Sequence, residues 1–186
     1  MPPKIRITKK DIISAAIEIV REKGEQGINA RLLAQRLQCS TQPIFSNFET
    51  MEELVFATLE KADELCREYM IKEIEKGTFP SYKATGMAYI RFAKEEKELF
   101  KLLYMRDRRD EKNTPESKIN KEMEDTVQKN VGLEEIDAKK FHLEMWAFVH
   151  GIASMFATNF LSLDWELVSD MLTDVYQGLK KQYEKE

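Results

Sequence analysis

The sequence predicts an all-α protein: an N-terminal three-helix unit containing a helix-turn-helix, then a C-terminal helical bundle, about nine helices in all. Three observations predict it. The composition is rich in Glu, Lys, Leu, Ala and Met, all good helix formers. Seven Gly and five Pro in 186 residues are too few for a loop-rich β protein. Apolar side chains recur at helical spacing, and no strand-like alternation of useful length interrupts them. With 42% apolar and 33% charged residues, the chain can build a core and is not a disordered polyampholyte.

The elements follow in order. Residues 1–7, with Pro2, Pro3, Lys4 and Arg6, read as an arm ahead of the first helix. Thr8 with Asp11 three positions on is a capping box, opening an apolar stripe through Ile12, Ala16, Ile19 and Val20 that stops near Gly24. Gly27 marks a turn, and Asn29 caps a short helix over 30–37 with Leu33, Ala34 and Leu37 inward. Gln38, Cys39 and Ser40 break that helix. Ser40 is expected to cap the next, over 41–47, with Pro43 in the first turn, where a missing N–H costs nothing. Thr50 and Glu53 form a second capping box, starting a long helix that Gly77 and Pro80 end near 75. Five more helices are expected over 81–95, 96–106, 115–131, 138–161 and 165–182. Thr114 and Pro115 start the third of these, Gly132 stops it, and Asp137 caps the fourth. The charge run 106–113 reads as a solvated loop.

Charge is unevenly placed. Residues 1–50 carry eight Lys/Arg against five acids, a net +3, and the remaining 136 residues carry 21 against 28, a net −7. A basic head on an acidic body suggests that only the head meets a polyanion. The segment 29–48 has the spacing of a helix-turn-helix: short helix, turn, short helix, then a third helix from 50. The outer face of its second helix would offer Ser40, Thr41, Gln42, Pro43, Asn47 and part of Phe45 to a major groove. Gln and Asn can address adenine at two points, and Pro, Thr and Phe can touch a thymine methyl. An ordinary helical hairpin has the same spacing.

At these residues a resemblance becomes specific. NARLLAQRLQCSTQPIFSNF over 29–48 and TMEEL over 50–54 resemble the DNA-binding domain of the tetracycline-repressor-like (TetR) transcriptional regulators. WAFVHG over 146–151, with Trp146, His150 and Gly151, resembles the Trp-His-Gly motif of one C-terminal domain type in that family. The resemblance implies a DNA-binding domain over 1–50 and a ligand-binding and dimerisation domain over 51–186. It also implies a regulator, usually a repressor, that a small effector releases from double-stranded DNA. Departures fall at two phosphate-contacting positions, Phe45 where Tyr is usual and Met51 where Lys is common, and at the turn, where Gln38 stands for the usual Gly. Residues 38–48 contain no Lys or Arg. Backbone anchoring is therefore expected from Lys4, Arg6, Lys9, Lys10, Arg31 and Arg36, and from the N–H groups at the Thr50 helix start.

Between 141 and 161 apolar side chains point in nearly every direction, and a helix apolar all round must be buried on more than one side. With the helix over 165–182 it is expected to pair with a second copy, giving a homodimer through 138–161 and 165–182. Two-fold symmetry then sets two recognition helices one DNA turn apart on a palindromic site. A single intrachain core is the alternative. Sixteen of eighteen aromatics and seven of nine Met lie after residue 51. Beyond ordinary packing, these suit a partly apolar effector among Tyr69, Met87, Tyr89, Phe92, Phe100, Met105, Phe148, His150 and Phe156.

Other classes fare poorly. His142 and His150 lie eight apart rather than four, no Cys neighbours them, and no Gly-rich phosphate loop, GxSxG or CxxC occurs. No enzyme, metal or cofactor is expected. Nothing approaches a membrane span or signal peptide, and Cys39 and Cys66 suit a reducing compartment, so a cytoplasmic protein is expected. A helical ligand-binding or interaction protein of the same fold, without specific DNA binding, is the other reading of these residues.

Overall fold

A computed structural model describes residues 7–107 and 118–183; Pro2, Pro3, Lys4, Arg6, Thr114, Pro115 and most of the 106–113 charge run lie outside them. Every regular element among the described residues is helical, with nine α-helices and no strand. The capping box expected at the start is formed. Thr8 Oγ1 accepts the Asp11 N–H at 3.2 Å, and the Asp11 carboxylate accepts the Thr8 N–H at 2.8 Å. Helix α1 (Lys9–Lys23) runs from it to Gly24, whose φ of 70° turns the chain out of the helix. After a 3₁₀ turn at Glu25–Gly27, α2 (Ala30–Arg36) starts on Asn29, whose Oδ1 accepts the Leu32 N–H at 2.9 Å. Helix α3 (Gln42–Asn47) starts on Thr41 rather than Ser40, without a side-chain cap, because Pro43 already removes one of the orphan donors. Helix α4 (Met51–Glu75) follows, with Thr50 Oγ1 accepting the Glu53 N–H at 3.1 Å.

Two compact units emerge, 1–65 with 96–115 and 66–95 with 116–186. The division falls inside α4, not at residue 50, and α6 (Lys97–Tyr104) belongs to the first unit. The reason is local. Leu99, Phe100, Leu102 and Leu103 of α6 are buried, α6 packs on α1, and Arg21 grips Glu96 through two hydrogen bonds of 2.8 and 2.6 Å. The first unit's helix-turn-helix core joins Ile12, Ile19, Leu33, Ile44, Phe48 and Leu54, all nearly inaccessible. Each such buried aliphatic or aromatic side chain contributes about 1.5–3 kcal/mol.

The second unit is built around α5 (Ser81–Glu95), buried on nearly every side through Ala84, Met87, Ala88, Ile90, Phe92 and Ala93. It packs against α8 (Glu135–Ala157), α7 (Lys118–Val127) and α9 (Trp165–Tyr183). Helix α7 runs on into a wider π turn, Gln128–Gly132, which Gly132 ends at φ 76°. Helix α8 starts at Glu135 on Glu134, so Asp137 sits inside its first turn, suited to the helix dipole, and is not its cap. It also stops at Ala157 rather than 161. Asn159 adopts φ 55°, and the Phe160 N–H reaches back to Met155 O at 3.0 Å, closing the helix with a Schellman turn. A second core gathers Val127, Ala138, Phe141 and Met145, with Tyr82, Val175, Tyr176 and Leu179 packed against it.

Candidate functional site

The turn between α2 and α3 carries an unusual residue. Gln38 has φ 51°, Cys39 N–H bonds Ala34 O at 2.9 Å, and Gln38 N–H bonds Gln35 O at 3.2 Å. That is a Schellman turn with Gln in the left-handed position that Gly normally fills. It aims α3 so that Ile44 and Phe48 go into the core while Phe45 stays 51% exposed. Ser40, Thr41, Gln42 and Ser46 are exposed with it, and Pro43 is half-buried. Among the described residues the Gln42 side chain makes no hydrogen bond, which leaves both its polar ends for a base edge. Asn47 differs from the outward reader expected of it. It is half-buried at the last position of α3, and its Nδ2 donates to Pro43 O one turn back at 2.8 Å and to Ile7 O, ahead of α1, at 3.4 Å.

The basic residues divide into tied and untied. Lys9 Nζ lies 3.0 Å from Glu53 Oε1 and 4.9 Å over the Phe48 ring. Arg36 pairs with Glu22. Arg31 and Lys10 are exposed and make no ion pair among the described residues. Lys4 and Arg6 lie outside those residues. Sequence reasoning missed the groove beside α3, lined by Lys9, Phe45, Phe48, Glu49, Thr50 and Glu53. The capping box at 50–53 was the available signal for its acidic wall.

The nine candidate effector residues do not share one unit. Phe100 and Met105 belong to the first unit, Phe100 buried against the Tyr104 ring and Met105 exposed. Tyr69, Met87, Tyr89, Phe92, Phe148, His150 and Phe156 belong to the second. Met87, Phe92 and Phe156 are buried, and Phe148 is half-buried. Tyr69 donates to Glu95 Oε2 at 3.0 Å and sets its edge on Phe92. Tyr89 Oη is 2.9 Å from His150 Nδ1, and two turns back Tyr82 Oη is 3.0 Å from His142 Nδ1. These two rungs join α5 and α8 running in the same direction. Burial pushes both phenols up and both imidazoles down, so all four groups are neutral near pH 7. The Trp146 ring stacks on His150, with centroids 4.8 Å apart and planes 17° apart, and a side chain at Gly151 would meet open space. The paired Tyr–His rungs were also missed, although Tyr at a spacing of seven and His at a spacing of eight were both readable.

Large apolar side chains stay exposed on the second unit. Ile136 and Leu143 are 78% and 61% exposed, Trp146 and Leu167 partly so, and Phe160 and Leu161 follow the end of α8. Val175, Tyr176 and Leu179 of the expected dimer seam instead pack on the intrachain core. Among the described residues no helix is long and apolar enough to cross a membrane, and no group of three metal-ligating side chains occurs.

Comparison with known proteins agrees on the fold. Residues 82–175, 94 of the 186, match the family model described as the tetracyclin repressor-like C-terminal domain. A member of the TetR family from Streptomyces coelicolor superimposes with a TM-score of 0.62 at 19% identity, covering 90% of this chain and 96% of that one. The multidrug binding protein EbrR, solved with imidazole, gives 0.59 at 18%, covering 90% and 93%. No curated protein matches by sequence. A family model spanning half the chain, over a nine-helix fold shared along nearly its whole length, makes this protein a member of the tetracycline-repressor-like family of transcriptional regulators.

Proposed function

We propose that the protein is a homodimeric repressor that reads a palindromic operator with α3 and leaves it when a small, partly apolar effector binds the second unit. The observation that carries the reading is the outer face of α3: Gln42 exposed and without a side-chain bond among the described residues, Phe45 51% exposed, Thr41 and Ser40 alongside, all held by a buried Ile44 and Phe48. The Gln42 amide suits the N6 and N7 edge of adenine, and Phe45 suits a thymine methyl. Phosphate positioning falls to Arg31 and Lys10, to Lys9 and Arg36 once their pairs open, and to Lys4 and Arg6 of the preceding segment. The dimer forms through the exposed apolar faces of α8 and α9, with Leu143 and Trp146 as anchors. The protein is proposed to meet DNA in the cytoplasm and to bind rather than catalyse.

Effector contacts are proposed for Tyr69, Tyr89, Phe148 and His150, lined behind by Met87, Phe92 and Phe156. Helix α4 is continuous across both units, so a ligand that displaces its second half alters the separation of the two α3 helices in the dimer. Driving the population from 99:1 to 1:99 requires the effector to prefer the released form by about 5.5 kcal/mol. The test is a footprint on DNA upstream of its own gene at several salt concentrations. An inverted repeat protected at half-sites one helical turn apart is expected, and no protected repeat at low salt refutes the reading. That second outcome would favour a helical ligand-binding or interaction protein of the same fold, a reading fed by the absence of Lys and Arg from 38–53.

A further inference from the structure

We infer that Glu53 is an internal stand-in for a DNA phosphate, holding Lys9 in an ion pair that keeps sequence-independent DNA binding weak; this rests on α3 being the DNA-contacting helix. Lys9 lies in the first turn of α1 and Glu53 in the first turn of α4, 44 positions apart in the chain. Their side chains meet at 3.0 Å beside the C-terminal end of α3, with the ammonium over the ring of Phe48. The other oxygen of the same carboxylate accepts the Glu49 N–H at 2.8 Å. One anionic group thus bridges an ammonium and a backbone N–H near a helix start, which is how a phosphate would be held. Glu53 supplies that group from within the chain.

The surroundings favour the closed pair. Among the described residues Lys9 is the only cation lining the groove beside α3, against the carboxylates of Glu49 and Glu53. Lys9 and the Glu49 N–H together hold the Glu53 carboxyl below the usual carboxylate range, so it stays charged near neutral pH. Both partners remain about half exposed, 56% and 41%, so water and salt screen the pair and a phosphate can open it. Glu53 therefore sets a threshold and not a block. Binding that relies on phosphates alone loses one cation, while binding that also has the base contacts of α3 can displace it.

The test uses the full-length protein, a short random-sequence duplex and fluorescence anisotropy across a salt series. E53Q removes the charge but leaves an acceptor for the cap, since Gln serves in that position. It should bind about fivefold tighter, the scale of an exposed ion pair. Its log affinity against log salt should steepen by about 0.9, one further phosphate neutralised. E52Q, which removes a charge from the same turn without freeing Lys9, should leave the slope alone, and K9Q/E53Q should return it to the wild-type value. Equal slopes in E53Q and wild type overturn the inference, as does a steeper slope that persists without Lys9 or appears in E52Q. If neither wild type nor E53Q binds any duplex at the lowest salt, the DNA-binding reading itself falls, and the inference with it; wild-type binding with an unchanged E53Q slope removes the inference alone.

Discussion

Gln42 and Asn47 are chemically similar side chains on the same six-residue helix, yet their surroundings give them different work. Asn47 can reach two carbonyls at 2.8 and 3.4 Å and turns its donor inward, whereas Gln42, at the helix start, has no such partner among the described residues. Gln42→Ala should therefore cost about 1–3 kcal/mol on a cognate operator and leave binding to a scrambled duplex nearly intact, as anisotropy titrations of the two duplexes would read. Equal losses on both would remove base reading by this residue. The two histidines illustrate the same dependence on surroundings. Burial depresses both imidazoles, with Glu124 opposing it only secondarily at His142. Their stabilising neutral state is fully present above the unfolded-state pKa of about 6.5 and is lost as pH falls through the lower folded-state values. The melting temperature should drop between about pH 7.5 and 5.5, and less so in His142→Gln/His150→Gln, which keeps an acceptor for each tyrosine. A melting temperature that stays flat or rises on acidification would contradict neutral, buried imidazoles.

Element boundaries were legible wherever capping chemistry is local. Thr8 with Asp11, Asn29, and Thr50 with Glu53 start helices where their side chains meet N–H groups three residues away, contacts that need no tertiary context. Two starts differ, at Ser40 and Asp137, where the expected side chain does not cap, and one end differs because backbone conformation decides it. Asn159 stops α8 by entering the left-handed region, which Asn tolerates but does not announce. Gln38 enters the same region at the helix-turn-helix, where the break was legible, with a residue less suited to it. Gln38→Gly should raise stability by about 1 kcal/mol, because it relieves a left-handed Gln while giving some chain entropy back to the unfolded state. Urea unfolding with an unchanged m-value would read the gain. A destabilised variant would mean that the Gln side chain holds the turn.

At the scale of the whole molecule, the all-helical class and the family were readable from periodicity, spacing and two short motifs. The sorting of apolar residues into core and partner face was not. Val175 and Leu143 look equally fit for a dimer seam in sequence, but Val175 packs on the Phe141 core and Leu143 is 61% exposed. Leu143→Asp should therefore sediment at half the wild-type mass with its fold retained by circular dichroism, whereas Val175→Asp should lose helical structure. A Leu143→Asp protein at unchanged mass would remove α8 from the interface. The unit boundary was hidden for a related reason. Helix α6 lies 74 residues beyond the last residue of α1, and only the burial of Leu99, Phe100, Leu102 and Leu103 and the grip of Arg21 on Glu96 assign it to the first unit.

What the sequence determined by itself is whatever short-range forces decide: which segments are helical, where capped helices begin, and that residues 29–48 form a helix-turn-helix. Tertiary structure decided which of two like residues is free to meet another molecule. That Lys9 faces Glu53, that Tyr89 faces His150, and that Asn47 turns inward while Gln42 does not all follow from side chains brought together across long stretches of chain or at a particular helix end. Hydrogen bonding and desolvation act on distances in space, and the linear order of residues does not contain them.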